Sequence, residues 1–229
     1  MKKRIYALIL GGIFTLAGCP LTSIAQTAST AEPTTVTKGK PYKENWANTK
    51  VILKKKIWTV EDKNNDNNTW EDLDAGAPAY NGANATVNAD DWLVSPPLHL
   101  IAGQTYALEA GAVVGGHSGT GQRMNIAYGT GDDPTTYNEI VPTTPISGTA
   151  FGTPTTIKTT FTPTETGDYR IGFHAVSDRP GYIIMRPVKV EEAAETSGTP
   201  IAISDLKLET GQNGEQMVKV SFTTPTKDI

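Results

Sequence analysis

The residues best placed to do chemistry are acidic. Asp62-Lys63-Asn64-Asn65-Asp66 sets three oxygen side chains at alternate positions, the spacing by which a loop wraps a hard cation such as calcium. A second acidic pair, Asp90-Asp91, follows and would complete such a site if its strand packs beside the loop. The full EF-hand pattern is not met. Asn67 stands where the sharp-turn glycine belongs, and Leu73 where the bidentate glutamate belongs. A D-x-N-x-D run is also what a solvated turn looks like. On the residues alone, a cation loop and an ordinary turn both stay open.

Catalytic chemistry has less support. His99, His117 and His174 are scattered, and none forms a pair at metal-ligand spacing. His174-Ala175-Val176-Ser177-Asp178 contains the residue types of a hydrolase triad. Neighbours on one strand do not make that geometry, which recruits its members from separated segments. Gly115 to Gly121 lacks the Gly-Lys-Ser/Thr ending of a phosphate loop and reads as a flexible hairpin tip. Trp58, Trp70 and Trp92, with the tyrosines, would stack on sugar rings or partner side chains where exposed, although buried aromatics are the commoner case. The chain is expected not to be an enzyme.

What must position these groups is a set of short strands. Of the 229 residues 38% are hydrophobic and 19% charged, with abundant Thr, Gly, Asn and Pro between short apolar alternations. Strands are expected at Val51–Val60, Asp90–Ser95, Gln104–Val114, Arg123–Tyr128, Thr155–Phe161, Gly167–Val176 and Tyr182–Val190. In Asp90-Asp91-Trp92-Leu93-Val94-Ser95-Pro96-Pro97, Trp92 and Val94 share one face, and Trp92 is expected to point into the core. The two prolines remove backbone donors, so the strand must stop there or lie at a sheet edge. Asn81-Gly82 reads as a turn, Lys54-Lys55-Lys56 as a solvated strand edge, and Pro134–Ile140 as one short helix capped by Asp132-Asp133. Together these predict an all-β, antiparallel sandwich over residues 41–192.

The flanks differ in character. Lys2-Lys3-Arg4 followed by the apolar Ile5–Ala17 stretch is an export signal, too short to span a bilayer. Two processing routes compete within residues 1–25. Leu16-Ala17-Gly18-Cys19 resembles a lipobox that would lipidate Cys19, and Ser23-Ile24-Ala25 offers a cut after Ala25. Cys19 is the chain's one cysteine, so no intrachain disulfide forms. Beyond the signal, 17 basic against 24 acidic residues leave a net charge of −7, against a formal −4 for the whole chain. Nucleic acid is thereby disfavoured as a partner, and a membrane is expected only through the lipid anchor. Residues 26–40 read as a flexible tether and 193–199 as a linker.

The ordered set Trp58-Thr59-Val60, the acidic loop Asp62–Trp70, DDWLVSPPLHL at 90–100, AGQTYALEA at 102–110, GDYRIGFHAVSD at 167–178 and Val188-Lys189-Val190 resembles the cleaved-adhesin or choice-of-anchor domains of Bacteroidetes surface proteins. That resemblance covers residues 41–192. It implies a jelly-roll sandwich, exported to the cell surface as a lipoprotein or secreted. It also implies an adhesin-like module that binds host protein or glycan, with a structural calcium at Asp62, Asn64 and Asp66 supported by Asp90 and Asp91. In place of the Asp-Asn that relatives often carry before the closing Val-x-Val, this chain has Arg186-Pro187. Alternatively such a domain serves as an accessory region of a peptidase or glycosidase, or as a spacer. Residues 200–229 resemble the first two strands of a fibronectin type III domain, which is too little to bury a core.

Overall fold

The computed structural model describes residues 29–72, 76–115, 122–147, 153–178 and 180–194, and the backbone of 207–210 and 218–221. In chain order the elements are β1 (Thr34–Thr35), β2 (Tyr42–Glu44), α1 (Thr49–Lys54), β3 (Thr59–Asp62), β4 (Trp70–Asp72), β5 (Pro78–Asn81), β6 (Asp91–Val94), β7 (Leu98–Leu100) and β8 (Tyr106–Gly115). There follow β9 (Gln122–Thr130), a 3-10 turn (Pro134–Thr136), β10 (Asn138–Ile146), β11 (Thr155–Phe161), β12 (Gly167–Ala175) and β13 (Tyr182–Glu192). Last come β14 (Lys207–Thr210) and β15 (Val218–Ser221), an antiparallel pair of their own.

Two sheets form the sandwich. In the first, β12 is central: β9 and then β10 lie on one side, and β6 and β7 share its other side, flanked by β3 and β1. In the second, β13 has β8 and then β11 on one side, with β5 and β2 sharing the other and β4 beyond β5. Period-2 alternation drives the inner faces together. Tyr169, Ile171, Phe173 and Ala175 of β12 meet Tyr106, Leu108 and Ala110 of β8 and Ile183, Met185 and Val190 of β13 in one buried core. Each fully buried large side chain there contributes about 1.5–3 kcal/mol.

The DDWLVSPPLHL strand is interrupted in mid-sheet, not at an edge. Val94 pairs with Gly172 and Leu98 with Tyr169, so β6 and β7 run along the same neighbour with Pro96-Pro97 between them. Ser95 mends the gap: its N–H donates to Ile171 O (2.9 Å), and its Oγ accepts from Ile171 N (2.9 Å) and donates to Pro96 O (2.9 Å).

Several local expectations give way to tertiary packing. Residues 49–54 form a helix where a strand was expected from Val51. Ile52, Leu53 and Ile57 pack against the core, and the turn ends at Lys56 with φ 54°. So short a helix is marginal without that docking. Lys54, Lys55 and Lys56 are exposed at its end, not along a strand edge. From residue 29 the expected tether lies on the sandwich. Ser29 Oγ donates to Ile57 O (2.9 Å), Thr34 N to Pro97 O (2.9 Å), and Val36 is buried. The chain does turn at Asn81-Gly82, with Ala83 N donating to Asn81 Oδ1 (3.3 Å) and Ala85 N to Gly82 O (3.1 Å), but Gly82 exchanges backbone hydrogen bonds with Gly181 and no hairpin closes there. The helix expected over 134–140 shrinks to the 3-10 turn, because Asn138 already pairs with Tyr128 in β10. Pro142 and Pro145 sit in that strand, which pairs through only one of its sides with β9 and shifts register twice. Trp92 faces away from the core and is buried in a second cluster with Val94, Ala127 and Tyr137. Its strand neighbour Leu93 takes the inward position.

Candidate metal centre and surface clefts

The acidic cluster is built by strand register. Asp62 ends β3 directly opposite Asp91, which begins β6, so both carboxyls continue the inner face of Val60 and Leu93. The loop after Asp62 turns back through Asn65 (φ 56°) and Asn67 (φ 63°). Asparagine tolerates this left-handed backbone, so Asn67 makes the sharp turn that a glycine would make in an EF-hand. Asn67 N donates to Asp62 Oδ2 (3.0 Å), Asn68 N to Asp66 Oδ1 (2.8 Å) and Asp90 N to Asp91 Oδ2 (3.1 Å). One oxygen of each carboxylate is thereby used. The others, Asp62 Oδ1, Asp66 Oδ2 and Asp91 Oδ1, are buried without a hydrogen-bond partner, as is Thr69 Oγ1.

Asp91 is wholly buried. Burial pushes its carboxyl up to about 7; the Thr69 hydroxyl beside it and the Asp90 N–H oppose the shift, and the negative charges of Asp62 and Asp66 add to it. Burial also raises the Tyr80 phenol, with Asp91, Asp66 and Asp62 contributing, so the tyrosine shares the same space. Trp70 closes the site by donating Nε1 to Asp91 O (3.0 Å). The loop's own cation is spent elsewhere, since Lys63 Nζ reaches Glu61 (3.2 Å) and Asp133 (3.3 Å) on the opposite face. Among the described residues no three His, Cys, Asp or Glu side chains already stand in the geometry of a metal site. The orphaned oxygens nonetheless have the chemistry a hard cation requires: three carboxylates and a hydroxyl, at a place where unneutralised charge is costly.

Of the five sequence-predicted ligands, the structure brings Asp62, Asp66 and Asp91 together. Asn64 is occupied: its Oδ1 accepts from Asp66 N (3.2 Å) and its Nδ2 donates to Asn88 O (2.8 Å). Asp90 points to the outer face and binds His174 Nε2 (2.7 Å). Thr69 was not legible as a site residue; only its place before Trp70 marked it. Leu73, His117 and the lipidation candidate Cys19 lie outside the described residues.

On the outer face of the first sheet the triad residue types are tied into structural roles. The His174 ring stacks on Trp92 at 4.0 Å and 8° between planes. Burial holds its pKa down, opposed by the hydrogen bond and charge of Asp90. Ser177 Oγ accepts from Arg123 N (2.9 Å), away from that ring. Above them a strap over residues 131–137 is clamped down. Asp133 takes Lys63, Asp132 takes Arg170 Nη2 (3.0 Å), and Tyr137 meets Trp92 edge-on at 6.5 Å. Gly172 leaves the room, because a Cβ there would stand 2.8 Å from Trp92 Cε3. All three tryptophans singled out from the sequence are buried, so none offers an exposed stacking surface.

The described residues line several surface clefts, two of them on the outer face of the second sheet and at one end of the sandwich. A shallow one of about 520 Å³ crosses the outer face of the second sheet at Ala107, Glu109, Lys158, Thr160, Lys189 and Glu191. Its charges neutralise one another: Lys158 pairs with Glu109 (3.2 Å) and Lys189 with Glu191 (2.6 Å). The other, of about 230 Å³, lies at one end of the sandwich between Tyr128, Thr130, Asn138, Thr164, Glu165 and Tyr169.

Set against solved structures, the chain is similar to the K1 cleaved adhesin domain of Lys-gingipain from Porphyromonas gingivalis W83. The match covers 67% of this chain and 99% of that one, with a TM-score of 0.52 and 18% identity. The fold is a jelly-roll β-sandwich. Looser likenesses include the K3 domain of the same protein (TM-score 0.46, 16% identity, 60% of this chain and 92% of that one). Another is the CBM22-1 xylan-binding domain of Paenibacillus barcinonensis Xyn10C (TM-score 0.41, 9% identity, 67% and 95%). No protein-family model and no curated protein matches the sequence.

Proposed function

We propose that this chain is a non-catalytic binding module of an exported bacterial protein, held at the cell surface by Cys19 or secreted, that engages glycan or host protein. The observation that carries the reading is the fate of its reactive side chains. His174 is stacked on Trp92 and bound to Asp90, His99 pairs with Asp168 (2.8 Å), and Ser177 is held by the backbone of Arg123. Groups of the types that do acid–base and nucleophilic chemistry thus serve the framework, while preformed clefts stay open on its surface. The basic start and apolar run of residues 2–17 support export.

Within this reading Asp62, Asp66 and Asp91 hold a structural calcium, with Thr69 beside them. Bound there, the cation would supply positive charge to carboxylates that lack a counter-ion, joining the loop after β3 to the start of β6. The module needs no chemistry from it.

The full chain should be placed on arrays of glycans and of host matrix proteins, alongside fluorogenic peptide and glycoside substrates. Saturable binding without turnover is expected. Turnover abolished by His174→Ala would overturn the non-catalytic reading. Silence on both arrays would overturn the binding reading and leave a spacer.

A further inference from the structure

The cleft at the end of the sandwich is small, rigid and chemically specific. It lies where β9 ends (Tyr128, Gly129, Thr130), where the strap enters β10 (Thr136, Asn138), and where β11 connects to β12 (Thr164, Glu165, Tyr169). At about 230 Å³ it falls below the roughly 300–1,000 Å³ of pockets for drug-sized ligands, so it suits one ring and not a chain.

Its walls are set before any ligand arrives. Tyr128 Oη donates to Thr162 O (3.2 Å) and Tyr169 Oη to Glu165 O (2.9 Å), so both phenols hold the β11–β12 connection. On the other side the strap is capped by Asp133, which accepts from Thr135 N (3.2 Å), and is tied by Tyr137 Oη to Gly131 O (2.9 Å). Fixed walls lower the ordering cost of binding.

The lining is mainly polar, with a small share of aromatic ring surface. Tyr128 stacks on Tyr169 at 5.6 Å and 29° and packs against Phe161 at 4.6 Å, so the half-buried Tyr128 shows only part of its ring to the cleft. Thr130, Asn138, Thr164 and Glu165 are exposed. They offer hydroxyls, an amide that both donates and accepts, and a carboxylate that accepts twice. A ligand with one C–H face and a ring of hydroxyls meets both requirements. Among the described lining residues Glu165 is the one ionic group, so an anionic ligand would meet repulsion and no cation. The larger cleft on the second sheet differs on each count, being shallow, without aromatic lining and with its charges already paired to one another.

From this juxtaposition we infer that the end cleft is a subsite for a single neutral sugar residue, a hexose or N-acetylhexosamine. The inference rests on the binding-module reading above and narrows it to one site and one ligand class.

The test is a titration of the full chain, followed by amide NMR, with methyl glycosides of neutral hexoses and N-acetylhexosamines. Asn138→Ala, Glu165→Gln and, in the other cleft, Lys158→Ala are run in parallel. All three positions are exposed, so the fold should be kept. Binding is expected for at least one glycoside, with shifts at Gly129, Thr130 and Thr164. It should weaken about ten- to hundredfold in Asn138→Ala or Glu165→Gln and stay unchanged in Lys158→Ala. A glycoside that binds both end-cleft variants like the parent and is lost in Lys158→Ala overturns the assignment while leaving a glycan-binding module. No binding of any neutral glycoside also overturns it. A positive matrix-protein array would then preserve the wider reading, and a silent one would end both.

Discussion

The buried carboxylate of Asp91 gives the sharpest test of the acidic cluster. Raising a carboxyl from its ordinary 3.8 to about 7 means that the fold holds a proton the unfolded chain releases. Without a cation, stability should therefore fall as pH rises from about 4 to 7 and level off above. The full loss is up to about 4 kcal/mol at pH 8. For a domain of this size 1 kcal/mol moves the midpoint by about 2–4 °C, so Tm in chelator should drop by up to about 8–16 °C across that window. Calcium at the proposed site should act in the opposite sense. With a Kd of about 0.1 mM, typical of extracellular modules, about 5 mM calcium adds roughly 2 kcal/mol at pH 8. Asp91→Asn removes the ionisable group but keeps its shape, and should flatten the pH dependence and abolish the calcium response together. The assay is calorimetric melting of parent and variant at several pH values, with chelator or with calcium. The difference between the two proteins isolates Asp91 from every other titrating group. Equal pH slopes in both would refute the buried-acid argument, and a parent midpoint indifferent to calcium at pH 8 would refute the cation site.

Other expectations follow from single contacts. Ser95→Ala removes the hydroxyl that bridges the proline gap and leaves the buried Ile171 N–H without that acceptor; denaturant unfolding should show a loss of about 1–3 kcal/mol. Gly172→Ala places a methyl against the Trp92 and Tyr137 rings and should cost about 1–3 kcal/mol, with a changed tryptophan emission as the strap lifts. Lys63→Ala removes the cation shared by the half-exposed Asp133 and the buried Glu61, and denaturant unfolding should show a loss of about 1–3 kcal/mol. The His174 ring, followed by NMR, should titrate below its ordinary 6.5 because burial outweighs Asp90, and Asp90→Asn should lower it further. Its contribution to stability is then fully present above pH 6.5 and is lost as pH falls from there through the ring's lowered folded pKa.

The strands were legible wherever alternation ran long. Tyr169, Ile171, Phe173 and Ala175 announce both β12 and its inner face, and Thr155–Phe161 is read to the residue, because a half-buried strand leaves a period of 2 in its composition. What was not legible came from contacts between distant segments. Val51-Ile52-Leu53 has the apolar, β-branched look of a strand and is helical because Ile52 and Leu53 dock on the core. The outer cluster around Trp92 exists because Lys63 and Arg170 hold the strap, through pairs that no local pattern announces. The end cleft joins three separated segments. Its only sign in the sequence was the in-phase placement of Tyr128 and Tyr169 near strand ends.

Asp90 and Asp91 show how far pattern alone can carry a site. Two adjacent acids on a strand look equivalent, yet alternation sends them to opposite faces. Asp91 goes inward with Leu93, opposite Asp62, where burial makes its charge expensive. Asp90 goes outward beside Trp92, where it is half exposed and steadies His174. Sequence spacing singles out the loop carboxylates Asp62 and Asp66 as candidates. Only the pairing of β3 with β6 says that Asp91, and not Asp90, joins them. A slip of one residue in that pairing would exchange the two acids and move Leu93 out of the core. The same hydrophobic preference that sets the sandwich therefore selects the third member of the acidic cluster. Any substitution that loosens the inward seat of Leu93 should weaken the cation response as well as the fold.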